Sequence, residues 1–298
     1  MVTVHLGYAT GDFHCLVDGD LFLPESWSDD RERCRAAGIP DEVTYRPKWQ
    51  IALELYDRAT ENGMHFDWLT VDEGYGSKPL FLQGLEERGQ LFVAEVPVIF
   101  SCWIRAPHIT SRQYRRSVGG CPRKTPRLTL GSRPPSSVRD LLYHSPTLRD
   151  QAWVRYHVKD GEKGPLVWED KHTRVTMKDD RGLPGMRLHL VIARNVLDHD
   201  EVKFFVSNAP ADTSVETMLL VAFSRWRVER CFQDQKQEIG LDQWEGRHYL
   251  GLKRHLILSC VSYLFLARVR DGLRGEQSRC HGLPGPRRGR RALAELVA

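Results

Sequence analysis

The chain has 298 residues, of which 41% are hydrophobic and 28% are charged, and its formal net charge at pH 7 is +4. This globular composition excludes a fully disordered, a collagenous and a coiled-coil chain, and the length suffices for one large domain or two ordinary ones. The seven cysteines are scattered and form no Cys-x-x-Cys pair, which excludes a zinc ribbon and favours free thiols in a reducing compartment.

No targeting or membrane segment is evident in the sequence. The first residues, MVTVHLGYATGDFH, lack the basic run and the apolar core of a secretory signal. The longest apolar stretch, at 256–267, contains two serines and a tyrosine and is too short to cross a bilayer. We therefore predict a cytoplasmic protein without a membrane partner.

Residues 1–100 alternate between strand patterns and helix patterns. In chain order the patterns are strands at 3–9 and 14–23, a helix between Pro47 and Gly63, a strand at 66–71, a helix at 79–88 and a strand at 90–99. Strands separated by helices of this length are typical of a largely parallel sheet. These residues are therefore predicted to form an α/β domain.

The next segment, residues 101–150, is predicted to be a basic loop rich in proline and glycine. From Val96 to Arg139 the chain has no acidic residue but nine lysines and arginines. Loops of this length are usually functional or disordered, so two interpretations stay open, a solvated linker and an arm that contacts phosphates. The residues of that arm with the best claim to contact DNA are Arg115, Arg116, Arg123 and Lys124.

The remaining chain divides into three segments by its patterns. Residues 151–210 contain five strand patterns, at 153–158, 164–169, 173–177, 186–193 and 202–207, which indicate an antiparallel insertion. Residues 211–270 contain two helices, at 214–239 and 252–270, and the first has capping-box spacing at Thr213 and Glu216 and a stop at Gly240. Residues 271–298 are rich in Gly, Arg and Pro and are predicted to be a disordered basic tail.

The helix at 214–239 carries a row of charged residues beside its apolar stripe. Arg225, Glu229 and Lys236 lie within roughly 40° of each other on a helix of 100° per residue, which fits a surface ion-pair network. The alternative is a metal site, because Asp72 ends a buried strand and ligands bind beyond the carboxyl ends of strands in open α/β sheets. A carboxylate there and one on a covering helix could share a divalent cation such as Mg²⁺.

Two segments resemble a known family. Residues 68–76, WLTVDEGYG, and the following PLFLQGLEERGQLFVAEVP resemble the second-aspartate region of DDE-superfamily transposases of bacterial insertion sequences. Residues 225–247 resemble the third-carboxylate region, whose signature is Y-x2-R-x3-E-x6-K. Arg225, Glu229 and Lys236 match this signature at the right spacings, whereas Ala222 occupies the tyrosine position.

The resemblance implies an RNase H-like catalytic domain with a β-rich insertion before its last catalytic helix. It implies that Asp72 and Glu229 are catalytic and bind Mg²⁺ or Mn²⁺, while Arg225 and Lys236 contact DNA or support Glu229. The implied chemistry is metal-dependent phosphodiester cleavage followed by strand transfer. The implied partner is double-stranded DNA, at insertion-sequence ends and at the target, and a homodimer on that DNA is part of the expectation.

The sequence departs from the family at the first catalytic aspartate. No segment matches the strand that carries it, so we expect the first, central strand of the fold to be missing. Two interpretations of Asp18 and Asp20 stay open. Either they substitute for this aspartate, or they mark a strand end or a turn. A non-catalytic DNA-binding remnant of a transposase is therefore the alternative function.

Two further interpretations concern single aromatic residues. Trp226, beside Arg225, either stacks on an unpaired DNA base or belongs to the core.

Glycoside hydrolysis by the carboxylates is a third functional hypothesis. A sugar site needs aromatic platforms near Asp72, and Tyr75 is the only aromatic residue close to it in sequence.

Overall fold

The computed structural model describes residues 2–11, 13–110, 125–161, 164–280 and 293–297. Its strands are β1 (Val2–Thr10), β2 (Phe13–Phe22), β3 (Trp68–Val71), β4 (Phe92–Val96), β5 (Ser101–Trp103), β6 (Ile109–Thr110), β7 (Arg127–Leu128), β8 (Ser136–Ser137), β9 (Val154–Gly161), β10 (Gly164–Lys178), β11 (Pro184–Asn195), β12 (Val202–Ser207) and β13 (Leu293–Val297).

Ten α-helices accompany these strands within the described residues. They are α1 (Glu25–Ser28), α2 (Arg31–Ala36), α3 (Lys48–Glu61), α4 (Glu73–Gly76), α5 (Pro79–Glu87), α6 (Val138–His144), α7 (Pro146–Arg149), α8 (Val215–Ala222), α9 (Trp226–Asp234) and α10 (Tyr249–Cys280). The chain forms two compact units. The first comprises Met1–Asp72, Glu87–Phe92 and Val221–Ala298, and the second comprises Glu73–Glu86 and Val93–Leu220.

The sheet of the first unit has the strand order β2-β1-β13-β3. β1 and β2 form an antiparallel pair, and Gly11 lies in the turn between them with a φ of 59°. β13 pairs antiparallel with β1 and parallel with β3. The sheet is therefore mixed, and the prediction of a largely parallel sheet was wrong because most neighbouring strands run in opposite directions.

The central place of this sheet is filled by residues from the far end of the chain. In β13 the backbone of Glu295 lies opposite Gly7 on one side and Thr70 on the other. Leu293, Ala294 and Leu296 are buried. The strand expected to be missing from the start of the fold thus has its place taken by β13. Residues 271–298 were expected to be disordered, but 271–280 continue α10 and 293–297 pair with two strands that need main-chain partners.

Helices cover the sheet of the first unit. α3 packs on β1 and β2, and its buried side includes Ile51, Ala52, Leu55 and Ala59. α9 and α10 pack on β2 through a cluster that contains Leu16, Cys231 and Tyr263. The described part of α10 from Tyr249 to Leu273 is long and apolar enough to cross a membrane by length and composition, a test that core helices of soluble proteins also pass.

The second unit is built on an antiparallel sheet with the order β4-β12-β11-β10-β5-β8, and β9 also pairs with β10. The predicted β-rich insertion is therefore present. β10 is one strand where the sequence predicted two, because its charged middle is neutralised by partners. Lys171 Nζ donates to the carbonyl oxygens of Leu148 and Arg149, at 2.6 and 3.2 Å, and Glu169 pairs with arginines of the neighbouring strands β9 and β11.

The long helix predicted at 214–239 is present but irregular. α8 leads through a 3-10 turn, Phe223–Arg225, into α9, which continues into a π-helical turn, Gln235–Ile239. Gly240 ends the helix in the left-handed conformation, with a φ of 71°. The N-cap is not the predicted Thr213 box. Instead, the hydroxyl of Ser214 accepts a hydrogen bond of 3.1 Å from the backbone N–H of Thr217.

Candidate active site

Asp72 lies directly after β3, at the carboxyl end of that strand. All four residues of β3 are buried, whereas the Asp72 side chain is 35% exposed. The backbone of β3 is fixed partly by the N–H of Leu69, which donates to the carbonyl oxygen of Leu91 at 2.8 Å. A rigid buried strand therefore delivers one carboxylate to the edge of the sheet, where ligands can reach it.

Glu229 lies on α9, on the turn that follows the 3-10 segment. Val228 and Cys231 hold the buried side of α9, and the Glu229 side chain is 63% exposed. The end of the helix is tied down at Asp234, which accepts a hydrogen bond of 3.2 Å from the hydroxyl of Tyr263 in α10. The helix that carries the second carboxylate is therefore fixed through its opposite side.

One arginine connects the two acids. Arg225 Nη2 donates to Oε1 of Glu229 at 3.1 Å, and Arg225 Nη1 lies 3.9 Å from Oδ2 of Asp72. Asp72 and Glu229 thus lie within the span of a single guanidinium group. The structure brings together three of the residues that the sequence singled out, and the i,i+4 ion pair expected on the helix surface is present as well.

Lys236 faces the same cavity as Glu229. This cavity, of about 670 Å³, is lined by both residues and by Phe232, Trp244 and His5, among others. Lys236 belongs to the π-helical turn, and such turns are rare and frequent at functional sites. The cavity therefore has a charged side formed by the helix and an apolar, aromatic side.

No sequence pattern singles out His5 or Trp244 as site residues. His5 lies in β1, is 4% exposed, and makes an edge contact with the ring of Phe232 at 5.3 Å between centroids. Its Nε2 bonds the hydroxyl of Thr3 at 2.8 Å, while its buried Nδ1 has no hydrogen-bond partner among the described residues. Burial lowers the pKa of His5 to about 4, against a smaller raising effect of Asp18. The alternating pattern of β1 predicts only that His5 belongs to the core.

The structure decides two of the open interpretations. Trp226 is 43% exposed and has the guanidinium of Arg227 5.9 Å from its ring, so it is not a core tryptophan. Tyr75 is buried against Phe81, which removes the aromatic platform that the glycosidase hypothesis needed. The four basic residues Arg115, Arg116, Arg123 and Lys124 lie outside the described residues.

Asp18 and Asp20 are occupied by ion pairs within the first unit. Asp18 pairs with Arg58 at 2.6 Å, and Asp20 pairs with Arg46 at 3.0 Å, both arginines lying in or next to α3. Both acids lie within β2. Both acids therefore link the strand to α3 and the residues just before it.

The donor set at Asp72 and Glu229 suits a hard divalent cation. Carboxylate oxygens are the ligands that Mg²⁺ and Mn²⁺ take, and Mg²⁺ is commonly bound by one or two carboxylates plus waters and substrate phosphates. Among the described residues there is no group of three His, Cys, Asp or Glu side chains that could hold a metal ion. The two carboxylates therefore fit a cation whose remaining ligands are waters and substrate oxygens. Arg225 supplies positive charge beside both acids.

A mixed sheet with one acid directly after a buried strand and another on a covering helix is consistent with an RNase H-like α/β domain. The sequence profile of the DDE superfamily endonuclease family matches residues 1–165, more than half of the chain. The chain belongs to this family. No curated protein matches it. The matched residues include Asp72 but not Glu229. Glu229 and its helix α9 are therefore assigned to the site because of their position in the structure.

Membership in this family establishes the general class of activity. DDE-superfamily endonucleases are nucleases of the transposase type, they act on DNA, and they generally use divalent metal ions.

Proposed function

We propose that this chain is a transposase of an insertion sequence, which cleaves DNA at the element ends and joins them to a target with Mg²⁺ or Mn²⁺. The observation that carries this proposal is the contact of Arg225 with both Asp72 and Glu229. Contact with one guanidinium brings the two acids near each other, and we infer that they hold a common cation or adjacent cations.

The protein residues then have separate roles in phosphodiester cleavage. When bound, the divalent ion stabilises the charge that develops on the phosphoryl oxygens. Asp72 and Glu229 would hold it, and the buried strand and the anchored helix orient their carboxylates. Arg225 and Lys236 place positive charge beside the acids, which attracts and orients the phosphate backbone of DNA.

DNA binding beyond the acids is assigned to the basic segment and to Trp226. Arg115, Arg116, Arg123 and Lys124 are proposed phosphate contacts, because affinity that does not depend on sequence comes from such residues. The exposed ring of Trp226, one residue from Arg225, is suited to stack on an unpaired base. The protein is proposed to act in the cytoplasm as a homodimer on DNA.

The test is nicking of double-stranded DNA that carries the element ends, measured with and without Mg²⁺. Glu229→Gln should reduce the nicking rate at least a hundredfold, because the amide keeps the shape of the side chain but loses its charge. Glu238→Gln, an exposed glutamate of the same helix, is the matched control and should nick like the wild type. Equal rates for the Glu229 variant and the wild type would remove Glu229 from the mechanism.

A second candidate function is a DNA-binding transposase remnant without nuclease activity. It is favoured by the lack of a third metal-binding side chain beside the two acids among the described residues. It predicts a DNA gel shift that weakens strongly as salt is raised, with no nicking in Mg²⁺ or Mn²⁺. Nicking abolished by Glu229→Gln would exclude the remnant, and binding insensitive to salt would count against both candidates.

A further inference from the structure

Lys236 lines the same cavity as Glu229 without being tied to it. Its side chain is exposed, and it forms no ion pair with any of the described residues. A lysine side chain is long and flexible, so no contact of its own fixes the ammonium group. The place of this positive charge therefore depends on the backbone of the π-helical turn, Gln235–Ile239, that carries Lys236.

The backbone of Leu241 closes this turn. Gly240 takes the left-handed conformation, and the N–H of Leu241 then donates to the carbonyl oxygen of Gln235 at 3.1 Å. The Leu241 side chain is buried and belongs to the cluster that contains Leu252 and Leu256 of α10. Leu241 thus connects the turn to the following helix.

A histidine of α10 holds the backbone of Leu241 from the other side. His255 Nε2 lies 3.1 Å from the carbonyl oxygen of Leu241. Because a carbonyl oxygen can only accept, Nε2 is the ring nitrogen that carries the proton. The same ring stacks on Trp244, with 5.5 Å between the centroids and 29° between the planes. One side chain of α10 therefore contacts two residues of the loop 241–248.

The position of Trp244 also depends on two glycines. A Cβ atom at Gly246 would lie 2.2 Å from the Trp244 ring, and one at Gly251, in the first turn of α10, would lie 2.6 Å from it. Only a residue without a side chain permits such an approach. The stack on His255 and the two close approaches together fix Trp244 against the start of α10.

We propose that His255 is a positioning residue, which holds Lys236 and Trp244 in place beside Glu229. Leu241 and Trp244 line the cavity that also contains Glu229 and Lys236, whereas His255 is not among its lining residues. His255 therefore acts on the cavity through the loop, by a hydrogen bond to one residue and a stack on another. The inference rests on the proposed function only where Lys236 is taken as a phosphate contact.

The first test separates the hydrogen bond from the apolar packing by means of two amides. The amide nitrogen of His255→Gln reaches about as far as Nε2 and can donate to Leu241, whereas that of His255→Asn is one methylene too short. Amide hydrogen exchange of segment 235–244 should be roughly fivefold faster in His255→Asn, the change expected for the loss of one hydrogen bond. His255→Gln should restore most of the protection.

His248 provides the matched control for these two amides. It is exposed, it lies just before α10, and its side chain forms no hydrogen bond within the part of the chain that the structure describes. His248→Asn and His248→Gln should therefore exchange like the wild type in segment 235–244.

The second test asks whether the effect of His255 reaches Lys236. Binding of a DNA duplex is measured by fluorescence anisotropy at several salt concentrations. Lys236→Gln should reduce the slope of log K against log salt by about 0.9, the value for one phosphate contact. His255→Asn should also reduce this slope, but it should cause no further reduction in a chain that already carries Lys236→Gln. His255→Gln should keep the wild-type slope.

Gly251→Ala keeps the test decisive if His255→Asn folds poorly. The added methyl group displaces the Trp244 ring, although alanine is the better helix former. Exchange of segment 235–244 should therefore accelerate in Gly251→Ala and stay unchanged in Gly272→Ala, where a Cβ meets nothing within 4 Å on the same helix.

Two results would overturn the proposal. One is unchanged exchange of segment 235–244 in a folded His255→Asn variant. The other is a salt slope that His255→Asn reduces equally with and without Lys236→Gln. A wild type that binds no DNA would contradict the proposed function instead, and the exchange measurements would still decide whether His255 holds the loop.

Discussion

The guanidinium of Arg225 lies 3.9 Å from the carboxylate of Asp72, although the two residues are far apart in the chain. The same group donates to Glu229, one turn further along its own helix, at 3.1 Å. A guanidinium compensates half of the charge of two carboxylates, whereas a divalent cation would compensate all of it. A divalent cation held by Asp72 and Glu229 would therefore compete with Arg225 for the two acids.

The first prediction concerns this exchange of cations. Arg225→Gln should bind Mn²⁺ two- to fivefold more tightly than the wild type. The partly exposed ion pairs of Arg225 contribute about 0.5–1 kcal/mol, and in the variant the metal no longer has to compete with them for the acids. Binding is measured by Mn²⁺ electron paramagnetic resonance, independently of activity. Arg181→Gln, on an exposed turn of the second unit, is the control. Weaker Mn²⁺ binding by the Arg225 variant would show that the arginine supports the metal site.

The second prediction concerns acid stability and His5. Because burial lowers the pKa of folded His5 to about 4, the unfolded chain binds more protons between that pKa and the ordinary value near 6.5. The free energy of unfolding should therefore fall as pH drops through this window, by about 2 kcal/mol between pH 7 and pH 5 from His5 alone. Urea unfolding at both pH values should show a smaller loss in His5→Gln than in His65→Gln, an exposed control. Equal losses of unfolding free energy in the two variants would exclude His5 as a source of the pH dependence.

The third prediction concerns the central strand β13. Leu296 is fully buried, so Leu296→Asp should lower the free energy of unfolding by more than the roughly 2–5 kcal/mol of a buried leucine-to-alanine change. Hydrogen exchange should accelerate in β1 and β3, which lose their main-chain partner. Leu130→Asp, at a fully exposed leucine, is the control. Unchanged exchange in β1 and β3 would mean that these strands do not depend on β13.

The fourth prediction concerns Gly76, in the turn after Asp72. A Cβ atom at this position would lie 1.9 Å from the carbonyl oxygen of Glu95, which is backbone and cannot move alone. Gly76→Ala should therefore destabilise the protein by several kcal/mol and lower its thermal midpoint. Gly272→Ala, where a Cβ meets nothing within 4 Å in α10, should be neutral or stabilising by about 0.5–1 kcal/mol. A thermal midpoint of Gly76→Ala equal to that of the wild type would contradict the close approach.

Local patterns sufficed to predict the elements that carry the acids. The buried run before Asp72 predicts a strand whose end reaches the sheet edge, and the spacing of Arg225 and Glu229 on a half-buried helix predicts that they share a face. Both inferences use only neighbours within a few residues. The contact of Arg225 with Asp72 depends on how a strand and a helix that are distant in sequence pack together. Local hydrophobic periodicity does not predict that packing.

The central strand and the aromatic side of the cavity could not be predicted for a related reason. β13 is five residues long and follows a segment rich in Gly, Arg and Pro, so its pattern is too short to distinguish from a tail. His5 and Trp244 become significant only through what packs against them. The family resemblance added the roles of the acids, and the geometry added the arginine that joins them.

The position of β13 also dictates the order in which the first unit can form. Some 220 residues separate the end of β3 from the start of β13, the strand that joins β3 to β1. Until β13 is made, the nascent chain holds unpaired strand edges flanking an open gap, a state prone to aggregation. Folding of this unit is therefore expected to wait for β13, to be slow, and to benefit from chaperones.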